Sequence, residues 1–262
     1  MSKDPLAFCM PGGKEDDDFK IRLHETDENS DDEDEYHHTG FVMWPSAVML
    51  SRYITQNPSI LSEGEGDILE IGAGCGLVGL TAAALLNKQQ TTNEGQNGTV
   101  IITDYDPAVI ENIERNIRLN DLEGADGVGL DFFDQKPEDE NNVWIDTKGV
   151  HRPQVNLILG ADLMAYSNDA SLVANTIHCA LSEGGKALIY GPNKSYRFGV
   201  GDFPEACHEL GLLVQEKDYD PMSSISSQLL IEELEQSGYD KDRNGAHHYD
   251  FTMFTVTKPT TA

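Results

Sequence analysis

Cationic residues are scarce in this 262-residue chain: 18 Lys and Arg stand against 46 Asp and Glu, for a formal net charge of −28. A field of that sign repels phosphates, so nucleic-acid binding would need a local basic patch. The Lys and Arg are scattered singly, and no nucleic-acid partner is expected. Long apolar runs are also missing. Nothing approaches the ~20 residues of a membrane span, and residues 1–20 hold no apolar signal core, so neither membrane association nor export is expected. Cysteine is rare: Cys9, Cys75, Cys179 and Cys207 lie far apart without a C-x-x-C pair. That excludes the common structural zinc patterns and a disulfide-dense secreted scaffold, and predicts reduced thiols in the cytoplasm or nucleus. The pairs His37–His38 and His247–His248 lack ligand partners at helical spacing, and neighbours on a strand face opposite ways, so no metal site is expected.

What remains is patterned. Residues 1–35 carry two acidic runs, 15–18 and 31–35, and read as a self-repelling, disordered tail with one short strand at 19–23 able to dock. Residues 36–262 read as one domain. A helix is expected from Pro45, which suits a first turn. Strands are expected at 67–71, 99–103, 155–159, 186–190, 212–218 and 249–257. Helices are expected at 77–86, 107–120, 169–181, 203–210 and 226–236. Strands alternating with helices mean an α/β fold, a mainly parallel sheet with helices on both faces. Residues 88–98 and 135–153 are polar and read as surface insertions.

The informative stretch is "ILEIGAGCGLVGL", residues 68–80. A strand runs into Gly72, Gly74 and Gly76, and these into a helix, so a ligand can approach the backbone closely. The spacing contains a G-x-G-x-x-G, which alone suits a dinucleotide. Glu70, however, lies where a diphosphate would meet negative charge, whereas a carboxylate there suits a ligand with an amino group and a sulfonium. Asp104 ends the next strand, where it can accept from both ribose hydroxyls; it follows the loop by more than the usual ~20 residues, an excess that the 88–98 insertion accounts for.

On these motifs, together with "ITDYD", the chain resembles the Rossmann-like seven-β-strand methyltransferases over roughly residues 40–257, which implies a doubly wound sheet of about seven strands, mostly parallel with an antiparallel last strand. The resemblance implies S-adenosyl-L-methionine as cofactor. Gly40-Phe-Val-Met-Trp44-Pro45 is similar to a segment of the eukaryotic protein-lysine methyltransferase branch (methyltransferase family 16), which implies Trp44 near the cofactor's methionine end. Leu159-Gly-Ala161-Asp162-Leu-Met-Ala-Tyr166 resembles that branch's Asp-x-x-Tyr/Phe signature, with Ala165 where the aromatic belongs and Tyr166 one residue late. By resemblance Ala161 borders the cofactor, while Asp162 and Tyr166, with Tyr190, orient an acceptor amine for direct displacement on the methyl. Asp131 and Phe132 take the place of the adenine-binding residues. Residues 170–193 look most like the calmodulin-lysine methyltransferase group, yet like-signed partners repel. A monomer acting on a protein substrate with a basic surface is therefore expected. A small-molecule methyltransferase and a non-catalytic cofactor-binding module remain alternatives, and the net charge serves solubility equally well.

S-adenosylhomocysteine at about a hundred times its dissociation constant is expected to stabilise the native chain by roughly 2.7 kcal/mol, and NAD not at all. A thermal-shift measurement with each compound checks this.

Overall fold

The computed structural model describes residues 5–10, 19–24, 39–62, 66–90, 98–137, 143–195, 197–219 and 251–260. The expected helix at 226–236, both acidic runs and the two histidine pairs lie outside these residues. Strands β1 (Leu6–Met10) and β2 (Phe19–Leu23) form an antiparallel hairpin with Phe8 opposite Ile21. Next come α1 (Pro45–Gln56), β3 (Ile68–Ile71), α2 (Leu77–Gln90), β4 (Val100–Asp104), α3 (Pro107–Leu119) and β5 (Ala125–Gly129). A small antiparallel pair follows, β6 (Val143–Ile145) and β7 (His151–Pro153). The chain continues through β8 (Val155–Ala161), α4 (Asp169–Ala180), β9 (Leu181–Pro192), α5 (Phe198–Glu209), β10 (Leu213–Tyr219) and β11 (Phe251–Thr257).

Seven strands make one sheet in the order β10-β11-β9-β8-β3-β4-β5. The pairs among β9, β8, β3, β4 and β5 are parallel, and β11 runs antiparallel to both of its neighbours. This is the expected sheet. Because side chains alternate along a strand, one face carries Ile68, Val100, Ile102, Leu157, Leu159 and Leu188 against α1, α2 and α3. The other carries Leu69, Ile71, Ile101, Ile158 and Ile189 against α4 and α5. Both faces are buried, which is why these strands read as continuous apolar runs. Strand order reverses about β3 and β8, so the carboxyl ends of these strands open onto the crevice where such sheets take ligands.

Several elements depart from expectation. β5, with the sequence ADGVG, has no strong strand composition; it forms because the edge of the sheet supplies its partner, β4. The polar stretch 135–153 holds β6 and β7 around a fully buried Trp144, whose Nε1 donates to the Pro153 carbonyl at 2.9 Å. α5 starts five residues before the expected 203, with Pro204 inside it. Gly199, Gly201 and Pro204 weaken the helical signal, while burial of Val200 and Phe203 outweighs it. Among the described residues no helix is long and apolar enough to cross a membrane.

Part of the presumed tail is packed. Phe8, Ile21 and Leu23 belong to the core on the α1–α3 side. The outer edge of β2 is satisfied by three asparagines spaced four apart on α3, which share one helix face. Asn120 Nδ2 donates to the Arg22 carbonyl at 2.6 Å and its Oδ1 accepts from the Arg22 amide at 2.8 Å. Asn116 Oδ1 accepts from the His24 amide at 2.8 Å, and Asn112 Nδ2 donates to the His24 carbonyl at 2.8 Å. Asn116 Nδ2 also reaches the Cys75 carbonyl at 3.1 Å, tying the hairpin to the glycine loop.

Leucine at position 116 keeps the branching and heavy-atom count of asparagine but has no polar atoms, so it leaves the His24 amide and the Cys75 carbonyl without this partner. Asn116→Leu is expected to lower unfolding free energy by about 1–3 kcal/mol, read from urea denaturation.

Candidate active site

The glycine loop connects the end of β3 to α2. Gly72 and Gly74 have φ of 58° and 53°, left-handed values that side chains rarely adopt. A Cβ on Gly72 would lie 2.6 Å from Leu163 Cδ2 and 3.4 Å from Phe132 Cζ, and one on Gly74 would lie 3.2 Å from the Gly40 carbonyl oxygen. Phe132, Leu163 and Gly40 therefore pack closely over the loop backbone.

Two carboxylates shape this loop. The sequence reading sets Glu70 against a ligand's amino group; the structure turns it inward instead. Glu70 is only 2 % exposed, and Oε2 accepts from the Gly79 amide at 2.8 Å, in the first turn of α2. Helix N-termini favour an acceptor there. Gly79 is required for this fit, since a Cβ on it would come 2.5 Å from Glu70 Oε2. Burial pushes the Glu70 carboxyl up to about 8, with the Asp104 charge adding to the rise and the Gly79 and Val78 amides opposing it. Glu70 thus acts on any ligand through the loop.

Asp104 ends β4. Its Oδ2 accepts from the Gly74 amide at 3.0 Å, and its Oδ1 from the Tyr105 and Asp106 amides at 2.8 and 3.3 Å. Burial raises its pKa against these bonds. A carboxylate offers about four lone-pair sites, so three amides leave room for about one further donor, fewer than the two hydroxyls of the sequence reading.

The cleft continues across neighbouring strand ends. After β5, Asp131 Oδ1 accepts from the Phe133 amide at 2.9 Å and starts a short 3-10 turn, Phe132–Asp134, with Phe132 half-buried over the loop. Tyr105 is 62 % exposed, and burial together with the charges of Asp104, Asp106 and Asp131 raises its hydroxyl pKa. The sequence reading overlooked Tyr105, although its place directly after Asp104 in "ITDYD" is a usable signal.

Ala161, half-buried, ends β8 opposite Tyr190. Asp162 follows with a φ of 56°. Such a conformation costs about 1–3 kcal/mol outside glycine, although aspartate bears it better than most. Asp162 Oδ2 accepts from Ser46 Oγ at 3.4 Å, and Arg197 Nη2 stands 3.9 Å from Oδ1. Burial raises the Asp162 pKa, with Arg197 and Ser46 pulling the other way. Trp44, half-buried at the N-cap of α1, donates from Nε1 to the Thr39 carbonyl at 3.0 Å, and the Arg197 guanidinium carbon lies 5.8 Å from its ring centre. Arg197 carried no sequence signal, because only the chain's return from β9 brings it here.

Two expected residues take other places. Tyr166 is 55 % exposed; the side chain that enters the core from this loop is Met164. Asp169 Oδ2 holds the loop by accepting from the Ala165 and Tyr166 amides at 2.9 and 2.7 Å. Tyr166 is therefore on the surface, one residue later than the expected aromatic position. Tyr190 is fully buried in the sheet beside Phe251, ring centres 5.5 Å apart, away from any solvent-borne acceptor.

Residues 25–197 match a family described as lysine methyltransferase. The chain is 28 % identical to the protein-lysine N-methyltransferase EFM2 of Saccharomyces cerevisiae over 210 residues, covering 76 % of this chain and 45 % of the relative. It is 24 % identical to the protein-lysine N-methyltransferase EEF2KMT of Bos taurus, covering 54 % and 38 %. It is 27 % identical to the histone-arginine methyltransferase METTL23 of Xenopus laevis, covering 53 % and 50 %. The chain spans about half the length, or less, of these curated relatives. Among solved structures, the 16S rRNA N2 G1207 methyltransferase of T. Thermophilus aligns with a TM-score of 0.53 at 12 % identity, over 98 % of this chain and 51 % of that one. The [4+2]-cyclase SpnF aligns with a TM-score of 0.53 at 12 % identity, over 80 % and 81 %. Those two likenesses bear on the fold alone.

Since the Glu70 carboxyl holds its proton up to about 8 in the folded chain, against 4.5 unperturbed, its contribution to stability is full below 4.5 and is lost as pH rises through about 8. Glu70→Gln is expected to flatten this decline across that window, measured as urea midpoints against pH.

Proposed function

The chain belongs to the lysine methyltransferase family, and we propose that it is an S-adenosylmethionine-dependent enzyme that transfers methyl groups to lysine side chains of a protein. The observation that carries this reading is a glycine loop flanked by carboxylates at the strand ends. Asp104, Asp106 and Asp131 act together on Tyr105, and Asp162 stands at the end of β8, beside the loop's neighbour Leu163. Such a field attracts a sulfonium and repels a diphosphate.

The residues present fit the cofactor. A Cβ at Gly72 would meet Leu163 and Phe132, and one at Gly74 the Gly40 carbonyl, so the chain's own packing around the loop requires both glycines. Asp104 retains capacity for one ribose hydroxyl, and Tyr105 and Phe132 offer ring faces for adenine near Asp131. Trp44 and Ala161 border the methionine end. When bound, S-adenosylmethionine supplies an electrophilic methyl and its leaving group, so the protein mainly positions and desolvates.

A lysine must lose a proton before it attacks, and its reference pKa is ~10.4. A water-poor site disfavours the ammonium. Asp162, buried and with raised proton affinity, is the group that orients the amine and takes up that proton. Tyr166, exposed at the rim, covers the channel when the acceptor docks. The net charge of −28 favours an acceptor protein with a basic surface. The buried thiols of Cys75, Cys179 and Cys207, none of them in a disulfide, suit a reducing compartment such as the cytoplasm or nucleus.

Incubation with labelled S-adenosylmethionine and fractionated cell protein, followed by hydrolysis, is expected to give methyl-lysine. Asp162→Ala should cut transfer by about 10²–10⁴-fold, the usual range for a proton-handling group, and leave S-adenosylhomocysteine affinity nearly unchanged. Label confined to low-mass material would identify a small-molecule methyltransferase, and methyl-arginine a different acceptor. Parallel loss of cofactor binding would make Asp162 a cofactor residue.

A further inference from the structure

Two groups converge on one guanidinium near the strand ends, and a third steadies one of them. Asp162 offers Oδ1 to Arg197 Nη2 at 3.9 Å, and the Trp44 ring lies 5.8 Å from the Arg197 guanidinium carbon. Ser46 Oγ steadies the same carboxylate by donating to Oδ2 at 3.4 Å. A carboxylate and an aromatic face together make a site for an organic cation. Arg197 comes from the segment just before α5, whereas Trp44 and Ser46 begin α1 and Asp162 ends β8.

The contacts are loose. A charge-assisted N–H···O bond is ordinarily about 2.7–2.9 Å, well short of the 3.9 Å here, and a third of the Arg197 side chain is exposed (34 %). Asp162, by contrast, is held on both sides: its amide donates to the Tyr190 carbonyl at 2.8 Å, and its backbone sits in the left-handed region. The receiving groups are anchored by the sheet and a helix start, and the cation that meets them is on a half-open side chain.

We propose that Asp162, Trp44 and Ser46 form a cation site that Arg197 fills in the resting protein and that the acceptor's alkylammonium enters by displacing it. This rests on the reading of Asp162 as the residue that orients the acceptor amine. Arg197 keeps the buried carboxylate paired while no acceptor is present, which offsets the cost of leaving it alone in a poorly hydrated site. It also raises the threshold for acceptors: a chain-borne competitor lowers apparent affinity by the fraction of time it vacates the site, so nine-tenths occupancy weakens binding about tenfold. Docking contacts elsewhere on a protein acceptor make up this difference, and free amines lack them. Arg197 is in this sense a specificity-determining residue.

The chain has two tryptophans, Trp44 and Trp144, so protein labelled with 5-fluorotryptophan gives two fluorine resonances, assigned by the loss of one in Trp44→Phe. Trp144 is fully buried far from solvent and serves as the internal reference and the indicator of folding. n-Butylammonium chloride, titrated against sodium chloride at constant ionic strength, is expected to move the Trp44 resonance in Arg197→Ala at about tenfold lower concentration than in the wild type. Arg197→Gln, which keeps most of the side-chain bulk without the charge, should behave like Arg197→Ala, and adding Asp162→Asn to either should abolish the response. Equal responses in wild type and both variants, no response in the variants, or a response that survives Asp162→Asn would each overturn the proposal. The thermal shift with S-adenosylhomocysteine, measured on the same samples, separates the two readings: its absence in the wild type tells against the cofactor assignment, and the amine titration tells for or against the cation site.

Discussion

The crevice at the strand ends depends on two buried carboxylates bonded to backbone amides of a single loop. Glu70 takes the Gly79 amide and Asp104 the Gly74 amide, so the loop between β3 and α2 is clamped from both sides. Neither bond involves a ligand. Both need glycine, because a Cβ at position 79 would strike Glu70 and one at position 74 would press on the Gly40 carbonyl. The raised pKa values of the pair follow chiefly from burial, with the Asp104 charge adding to the rise at Glu70 and the Asp106 charge to that at Asp104. The loop is thereby held by the chain's own bonds.

Other elements bear on this clamp from a distance. The segment 39–44 crosses over Gly74 and leads through Trp44 into α1. On the far side, the asparagines of α3 act as a substitute strand for β2, and Asn116 links that strand to the carbonyl of Cys75 within the loop. The hairpin β1–β2 therefore contributes apolar cover to the core and a polar connection to the site. The β6–β7 pair plays a similar part at the other end: Asp146 accepts from Arg152 at 2.9 Å and from the Lys148 and Val150 amides. These bonds outweigh the effect of burial and lower its pKa.

The fold does not itself decide the chemistry. A ribosomal RNA methyltransferase and a cyclase share it at the same TM-score, which is the ordinary condition of a widely used scaffold. The distinction lies in the side chains at the strand ends. Here they are carboxylates and aromatic rings, a combination suited to cations, and the second cation position beside Asp162 is occupied by the chain's own Arg197.

The α/β class, the strand carrying the glycine loop and the acids at positions 70 and 104 were legible in the amino-acid order, because apolar periodicity, glycine spacing and strand-end polarity are local properties. Asp162 and the antiparallel last strand were reached only through the family resemblance, since strand direction is not a local property. Local order does not say what a side chain meets. It set Glu70 toward a ligand, whereas packing turned it into the first turn of α2; it brought Tyr166 into the acceptor channel, whereas Met164 took the interior place. β5 and the β6–β7 pair had weak strand signals because their partners, and not their composition, stabilise them. Arg197 beside Trp44 and Asp162 joins segments more than thirty residues apart and more than a hundred apart in sequence. Such meetings are decided by the sheet's strand order, and only the tertiary structure contains them.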